Sequence, residues 1–412
     1  MTVSNVIIKK ISPQQWFMLS SLVVNGGNYL YNLLLGRILG PEAFADAALM
    51  ITLLLVLSFI GMTFQLVMAK FAAQFNTSQL EALSSRMNTY ALLIGALLAI
   101  IVVFGASYLQ EVFNTESDTM FQIFAIGIPV YFLMSVNRGG LQGSHEFGKL
   151  SFSYQSEMWG RLLITFLALI CIPISNGVLI AVGILTSLFL GLFPLKKLKF
   201  NFFKTRGMES IPMKQIKRFI LITIFYELTQ ILINNSDILL VKRFFDPNEA
   251  GLYAAMALIG RVVYFIAWMF VMLLLPAVVK AKKEGLATTP TLFKYVTYIV
   301  VLSFSIVGVC AVFPEIIIRL LFGEAYITMA GLLWQYALAT SLFAIANIFT
   351  YYFLSLDRYK PIWFAAFFGI SQVVVIFFFH ANLTMVVQIQ IIIMLALLIT
   401  QLIYFLQSHT RV

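Results

Sequence analysis

The sequence predicts an all-α polytopic membrane protein with about twelve transmembrane helices, and three observations carry that prediction. Of 412 residues, 61% are hydrophobic and 11% charged, against roughly 25% charged in soluble domains. Mean hydropathy is +0.95, more apolar surface than a soluble chain of this length can bury. The apolar runs are long and unbroken. Such runs satisfy their backbone only as helices, whereas a barrel strand would alternate apolar and polar over about ten residues.

A span needs about 20 residues. The runs place spans at 16–37, 43–69, 88–109, 120–136, 151–172, 177–194, 218–241, 250–279, 292–313, 328–354, 361–380 and 384–406. The first follows Lys9 and Lys10 in the manner of a signal peptide. It carries Asn25, Asn28 and Asn32 and lacks a small-x-small cleavage site, so it reads as a retained helix.

Loop charge orients the spans. With the N-terminus in the cytoplasm, inner segments hold 21 of the 27 Lys and Arg, Arg138 and the basic run from Lys196 to Arg218 among them. Outer segments hold Arg37, Lys242, Arg243 and Arg319. The positive-inside rule accounts for this asymmetry and for the net charge of +10, which in a soluble protein would suggest nucleic acid. Both termini are expected in the cytoplasm. Arg37 and Arg243, each shortly before a proline, read as helix caps or headgroup contacts. Cys171 and Cys310 make no metal pattern.

The chain repeats itself. Asn28, Arg37, Pro41 and Ala47-Ala48 recur as Asn234, Arg243, Pro247 and Ala254-Ala255, with one residue inserted after the proline. The offset of 206 residues is half the chain. Six spans per half give both copies one orientation, so their pseudo-two-fold should lie along the membrane normal. The expected organisation is a six-helix lobe over 1–194, a basic cytoplasmic linker over 195–217 and a second six-helix lobe over 218–412. No connection is long enough for a soluble catalytic domain.

Intramembrane polar residues carry the functional signal, because a charge at a helix centre costs about 2.5–3.5 kcal/mol on insertion scales. Asn25, Asn28 and Asn32 share one face of the first helix, and Glu227, Gln230, Asn234 and Asp237 share one face of the seventh. Tyr154, Glu157, Arg161 and Thr165 align on the fifth, and Arg261, Tyr264 and Trp268 on the eighth. Arg161 and Arg261 fall near the midplane. Their guanidinium forks suit phosphate oxygens. Two structural alternatives stand beside this: an i,i+4 pair of Glu157 with Arg161, and pairing of Arg261 with Glu227 or Asp237. The Asn stripe reads equally as substrate contact or as interhelical glue, and Tyr264 with Trp268 as substrate contact or packing.

Three stretches resemble the oligosaccharide flippase (polysaccharide transport) family of the multidrug/oligosaccharidyl-lipid/polysaccharide exporter superfamily. They are N-Y-L-Y-N-L-L-L-G-R-I-L-G-P-E-A-F at 28–44, N-R-G-G-L-Q-G at 137–143 and A-G-L-Y-A-A-M-A-L-I-G-R at 250–261. The resemblance implies two six-helix lobes in a V around a central cavity. It implies a transporter, not an enzyme, that moves undecaprenyl-pyrophosphate-linked oligosaccharide repeat units to the outer leaflet of a prokaryotic inner membrane. Arg161 and Arg261, one per lobe, would hold the headgroup. Asn25, Asn28, Asn32, Tyr264 and Trp268 would line the sugar path. Glu227, Asp237 and Glu157 are the candidates for coupling to H⁺ or Na⁺, since no P-loop is present and no other cofactor is implied. Partners would be membrane lipids, a polysaccharide polymerase and glycosyltransferases. Two alternatives are an antiporter for drugs or organic cations, which would favour a net acidic cavity, and a membrane-embedded polymerase or glycosyltransferase, which would need a substantial loop.

Overall fold

A computed structural model describes residues 13–72, 74–194, 200, 213–356 and 358–409. Lys9, Lys10, Arg411 and most of the basic stretch 195–217 lie outside the described residues, as does the side chain of Trp268. The described residues are helical and contain no strand.

The first two spans form one long element, α1 (Pro13–Ala72), kinked at Gly40, whose φ of 74° is a left-handed conformation. Pro41 follows and withholds an amide at the bend. Next come α2 (Thr77–Phe104), the short α3 (Ala106–Phe113), α4 (Thr119–Gly143), α5 (Phe147–Cys171) and α6 (Asn176–Gly191). The second half runs α7 (Met213–Phe244), α8 (Pro247–Gly260), α9 (Val262–Lys283), α10 (Thr289–Val312), the short α11 (Pro314–Leu321), α12 (Ala330–Ser355), α13 (Lys360–Phe378) and α14 (Leu383–His409).

All twelve expected spans coincide with helix, with informative differences. The third begins at Thr77, not near 88, because Asn76 and Gln79 close a capping box: the Asn76 side chain accepts from the Gln79 amide at 3.0 Å and the Asn76 amide donates back at 3.3 Å. The expected span 250–279 is interrupted at Arg261, leaving α8 and α9. Eight helical segments are long and apolar enough to cross a membrane by length and composition, α1 counting as one. Helices α5 and α7 are not among these eight, and α6 is a shorter apolar helix.

The halves repeat in structure as in sequence. Pro41 at the bend of α1 matches Pro247 at the start of α8, and the eight-residue α3 and α11 begin 208 residues apart. Each short helix follows the third span of its half.

The chain packs as two compact units, residues 1–32 with 50–228, and residues 33–49 with 229–412. They depart from the sequence halves at two places. The α1 hairpin Leu33–Leu49 packs with the second unit, and the first turns of α7 pack with the first. The hairpin is held by specific contacts. The Tyr326 hydroxyl donates to the Gly36 carbonyl at 2.7 Å, and Lys242 pairs with Asp46 at 2.8 Å, both side chains buried. Gly251 lies so close to the Pro41 backbone that a Cβ would overlap it. In the first unit, the N-R-G-G-L-Q-G stretch is a contact surface: a Cβ on Gly139 or Gly143 would strike α1 backbone at Gln65 or Ala69. Small residues four apart that bring helix backbones together are a recurrent membrane solution.

Candidate functional site

In the first unit, Glu157 projects from the middle of α5 between two guanidinium groups. Its carboxylate meets Arg138 of α4 at 2.8 Å and Arg161, one turn along α5, at 3.0 Å. All three side chains are at most 10% exposed. Arg138 also donates to the Ser153 hydroxyl at 2.8 Å and the Ser153 carbonyl at 3.0 Å, and lies 3.9 Å over the Tyr154 ring. The Ser153 hydroxyl donates in turn to the Gly191 carbonyl. Gly191 must be glycine-sized, since a Cβ there would crowd Glu157 and Arg138.

Arg161 reaches the Asn28 side chain at 3.1 Å, and its guanidinium lies 5.8 Å from the Tyr31 ring centre. Tyr31 itself hydrogen-bonds Thr165 at 3.3 Å. The Nε of Arg161 is buried without a partner. Two cations against one anion leave this cluster with a net charge of +1. An uncompensated buried charge is costly unless an opposite charge joins it, so the cluster is electrostatically prepared for an anion.

The second unit holds a different arrangement. Asp237 of α7 accepts from Arg261 at 2.8 Å, Tyr336 at 2.7 Å and Tyr253 at 3.1 Å. Arg261 also donates its Nε to the Tyr336 hydroxyl at 3.0 Å, and Gln390 donates to the Tyr253 hydroxyl. One cation balances one anion, and the carboxylate is fully supplied with donors. Arg261, Tyr336, Asn234 and Gln390 line a small cleft together with the apolar Ile233, Phe343 and Met394.

The structure places the sequence-predicted residues unevenly. Arg161, Glu157 and Asn28 meet. Asn32 folds back onto the Asn28 carbonyl at 2.8 Å, and Asn25 stands exposed, so the Asn stripe divides. Arg261 and Asp237 meet each other, which is the interhelical pairing left open above. Arg261 is thus bound by a neighbouring acid, and Asp237 is not an open carboxylate for an ion. Tyr264 donates to Gln230 at 3.3 Å and stacks on Phe343 at 5.4 Å. Glu227 is half-buried and, among the described residues, has no hydrogen-bond or ion-pair partner.

Sequence reasoning missed four residues. Arg138 counts as an inner-loop charge by position, yet it lies within α4 and is 4% exposed. Lys242 counts as an outer-loop charge, yet it is buried on Asp46. Tyr253 and Tyr336 look like ordinary aromatic residues of apolar helices. The available signal for Arg138 was its place inside N-R-G-G-L-Q-G, a stretch whose glycines demand helix contact.

The polysaccharide biosynthesis protein family matches residues 34–331. The chain belongs to that family. None of the curated proteins matches it. Among solved structures, it is similar to an inward-facing multidrug resistance MATE family transporter of the MOP superfamily, at TM-score 0.76 and 13% identity over 93% of each chain. It is also similar to the lipid II flippase MurJ in an inward closed conformation, at TM-score 0.75 and 14% identity over 95% of this chain and 87% of that one. A MOP superfamily transporter from Pyrococcus furiosus matches at TM-score 0.56 and 13% identity, over 97% and 93%. At such identities the shared property is the fold, an all-α polytopic membrane fold.

Proposed function

We propose that the protein is a flippase carrying polyprenyl-pyrophosphate-linked oligosaccharide units from the cytoplasmic to the outer leaflet of a prokaryotic inner membrane, by alternating access of its two units and without enzymatic chemistry. Membership of a polysaccharide biosynthesis family and a fold shared with MOP superfamily transporters support a transporter of saccharide precursors. The observation that carries the choice of an anionic headgroup is the buried, net-positive Arg138–Glu157–Arg161 cluster.

In this reading Arg161 contacts the pyrophosphate, since it has an unused Nε and lies at the Asn28 side of the cluster. Glu157 and Arg138 hold it in place. Asn25 and Asn28 offer amides to the adjoining sugar, while Asn32 is held on the Asn28 carbonyl and is left out of that contact. The balanced Arg261–Asp237 pair acts as a structural tie, and headgroup binding is assigned to the first unit alone. Glu227, the unpaired intramembrane carboxylate, is the group for H⁺ or Na⁺ coupling.

The test is translocation of a fluorescent polyprenyl-pyrophosphate disaccharide in proteoliposomes. Wild-type protein is expected to move it, and Arg161→Gln to lose at least about tenfold in rate, the loss of one charge-assisted contact of about 1.5–3 kcal/mol. Undiminished transport by a folded Arg161→Gln protein would refute the assignment.

A further inference from the structure

Helix α11 presents three different sides. Ile318 is buried against the second unit. Ile316 and Leu320, one turn apart, are 60% and 70% exposed. Glu315 and Arg319, also one turn apart and about 100° further round, face outward with charge, and Arg319 pairs with Glu324 at 2.5 Å. The exposed apolar ridge continues upward from α10 through Val312 and Phe313, and α10 itself exposes Val301 and Phe304 along its membrane-spanning length. A ridge of that kind, continuous with a lipid-facing helix and bordered by a charged stripe, matches the two solvents met at a bilayer surface.

Its counterpart α3 has the same length and the same place in the repeat. In register, Tyr108 and Val112 stand where α11 has Ile316 and Leu320, and Ser107 and Glu111 stand where it has Glu315 and Arg319. Tyr108 is exposed and Val112 half-buried, so the first copy keeps the layout with a weaker ridge that carries a phenol hydroxyl.

We infer that α11 is an interfacial helix, seated along the membrane surface opposite the start of α1, with Ile316 and Leu320 among the acyl chains and Glu315 and Arg319 at the headgroups. The ninth span ends at Val312, and an odd number of crossings fixes the membrane face. Arg37 donates to the Leu320 carbonyl at 2.8 Å, capping the last turn where a cation is favoured. The lipid-seated helix is thereby tied to the α1 hairpin at residues 33–49. This inference needs only the membrane fold and stands apart from the identity of the substrate.

The experiment places nitroxides at Ile316→Cys, Leu320→Cys and Glu315→Cys, with Cys171 and Cys310 replaced, in vesicles of phosphatidylethanolamine and phosphatidylglycerol. Ser107→Cys on α3 is the control. Collision with oxygen, relative to a water-soluble nickel chelate, should be several-fold higher at 316 and 320 than at 315 and 107. Equal ratios at 316 and 315 would overturn the inference, and so would shielding of 316 and 320 from both reagents, which would indicate a protein cover such as a second copy of the chain. Ile316→Trp and Leu320→Trp give an independent reading: quenching by brominated lipid supports the inference, and quenching by aqueous iodide contradicts it.

Discussion

A carboxylate held between two guanidinium groups controls more than its own charge. Removing the Glu157 charge leaves Arg138 and Arg161 facing each other inside the first unit. Glu157→Gln should therefore lower stability by about 3–5 kcal/mol, the scale for breaking a buried pair. Adding Arg138→Gln removes one of the stranded cations and should recover part of the loss. Thermal unfolding in detergent checks both, and equal melting points for the single and double variants would contradict the electrostatic account. The second unit offers the complementary case. Arg261→Gln or Asp237→Asn alone should destabilise, while the double variant should be more stable than the sum of the two, with a coupling of about 0.5–3 kcal/mol. The double variant should retain transport, because no headgroup role is assigned to that pair. Much of this was legible in the sequence: Glu157 with Arg161 follows from i,i+4 spacing, and an acid partner for Arg261 was one of two readings. The role of Arg138 was not legible. A residue near a helix end counts as a loop charge until the neighbouring helix is known to cover it.

At the scale of elements, small residues and prolines decide where helices bend and touch. The kink of α1 needs Gly40 at positive φ and Pro41 after it, and both stand in the repeated stretch that the sequence exposes. What the sequence does not show is that the resulting hairpin packs with the second unit, because the Lys242–Asp46 pair joins residues almost 200 positions apart. Lys242→Ala would leave Asp46 buried without its ammonium group, with a loss of about 3–5 kcal/mol, measurable as a lower unfolding temperature. Gly139→Leu tests the other contact. The added side chain has backbone of α1 against it, and overpacking of about 1–3 kcal/mol is the expected minimum. Wild-type stability in that variant would mean that α4 and α1 do not approach as closely as described. The short α3 and α11 escaped sequence reading because each merges into the apolar run before it, and only the breaks at Gly105 and Pro314 separate them.

For the whole molecule, the helices at the twelve expected places and their repeat were readable from hydropathy and half-length self-similarity, and the family resemblance from the stretches at 28–44, 137–143 and 250–261. The division of labour between units was not, since the two arginines look alike in sequence and differ only in their partners. That difference turns a symmetric proposal into an asymmetric one: an anion-ready cluster in the first unit and a neutral tie in the second. Glu227 supplies a test of energy coupling at this scale. Glu227→Gln should make transport indifferent to an imposed ion gradient while basal exchange persists, and Glu227→Asp should keep the response. A gradient response that survives Glu227→Gln would remove that residue from the mechanism.

The most direct measurement of the central claim is binding of a polyprenyl pyrophosphate to purified protein, set against the uncharged polyprenol of the same length. The net-positive cluster predicts binding that requires the pyrophosphate, weakens about tenfold or more in Arg161→Gln, a change of about 1.4 kcal/mol, and is unchanged in the Arg261→Gln/Asp237→Asn double variant. Equal affinity for the uncharged lipid, or indifference to Arg161→Gln, would contradict it.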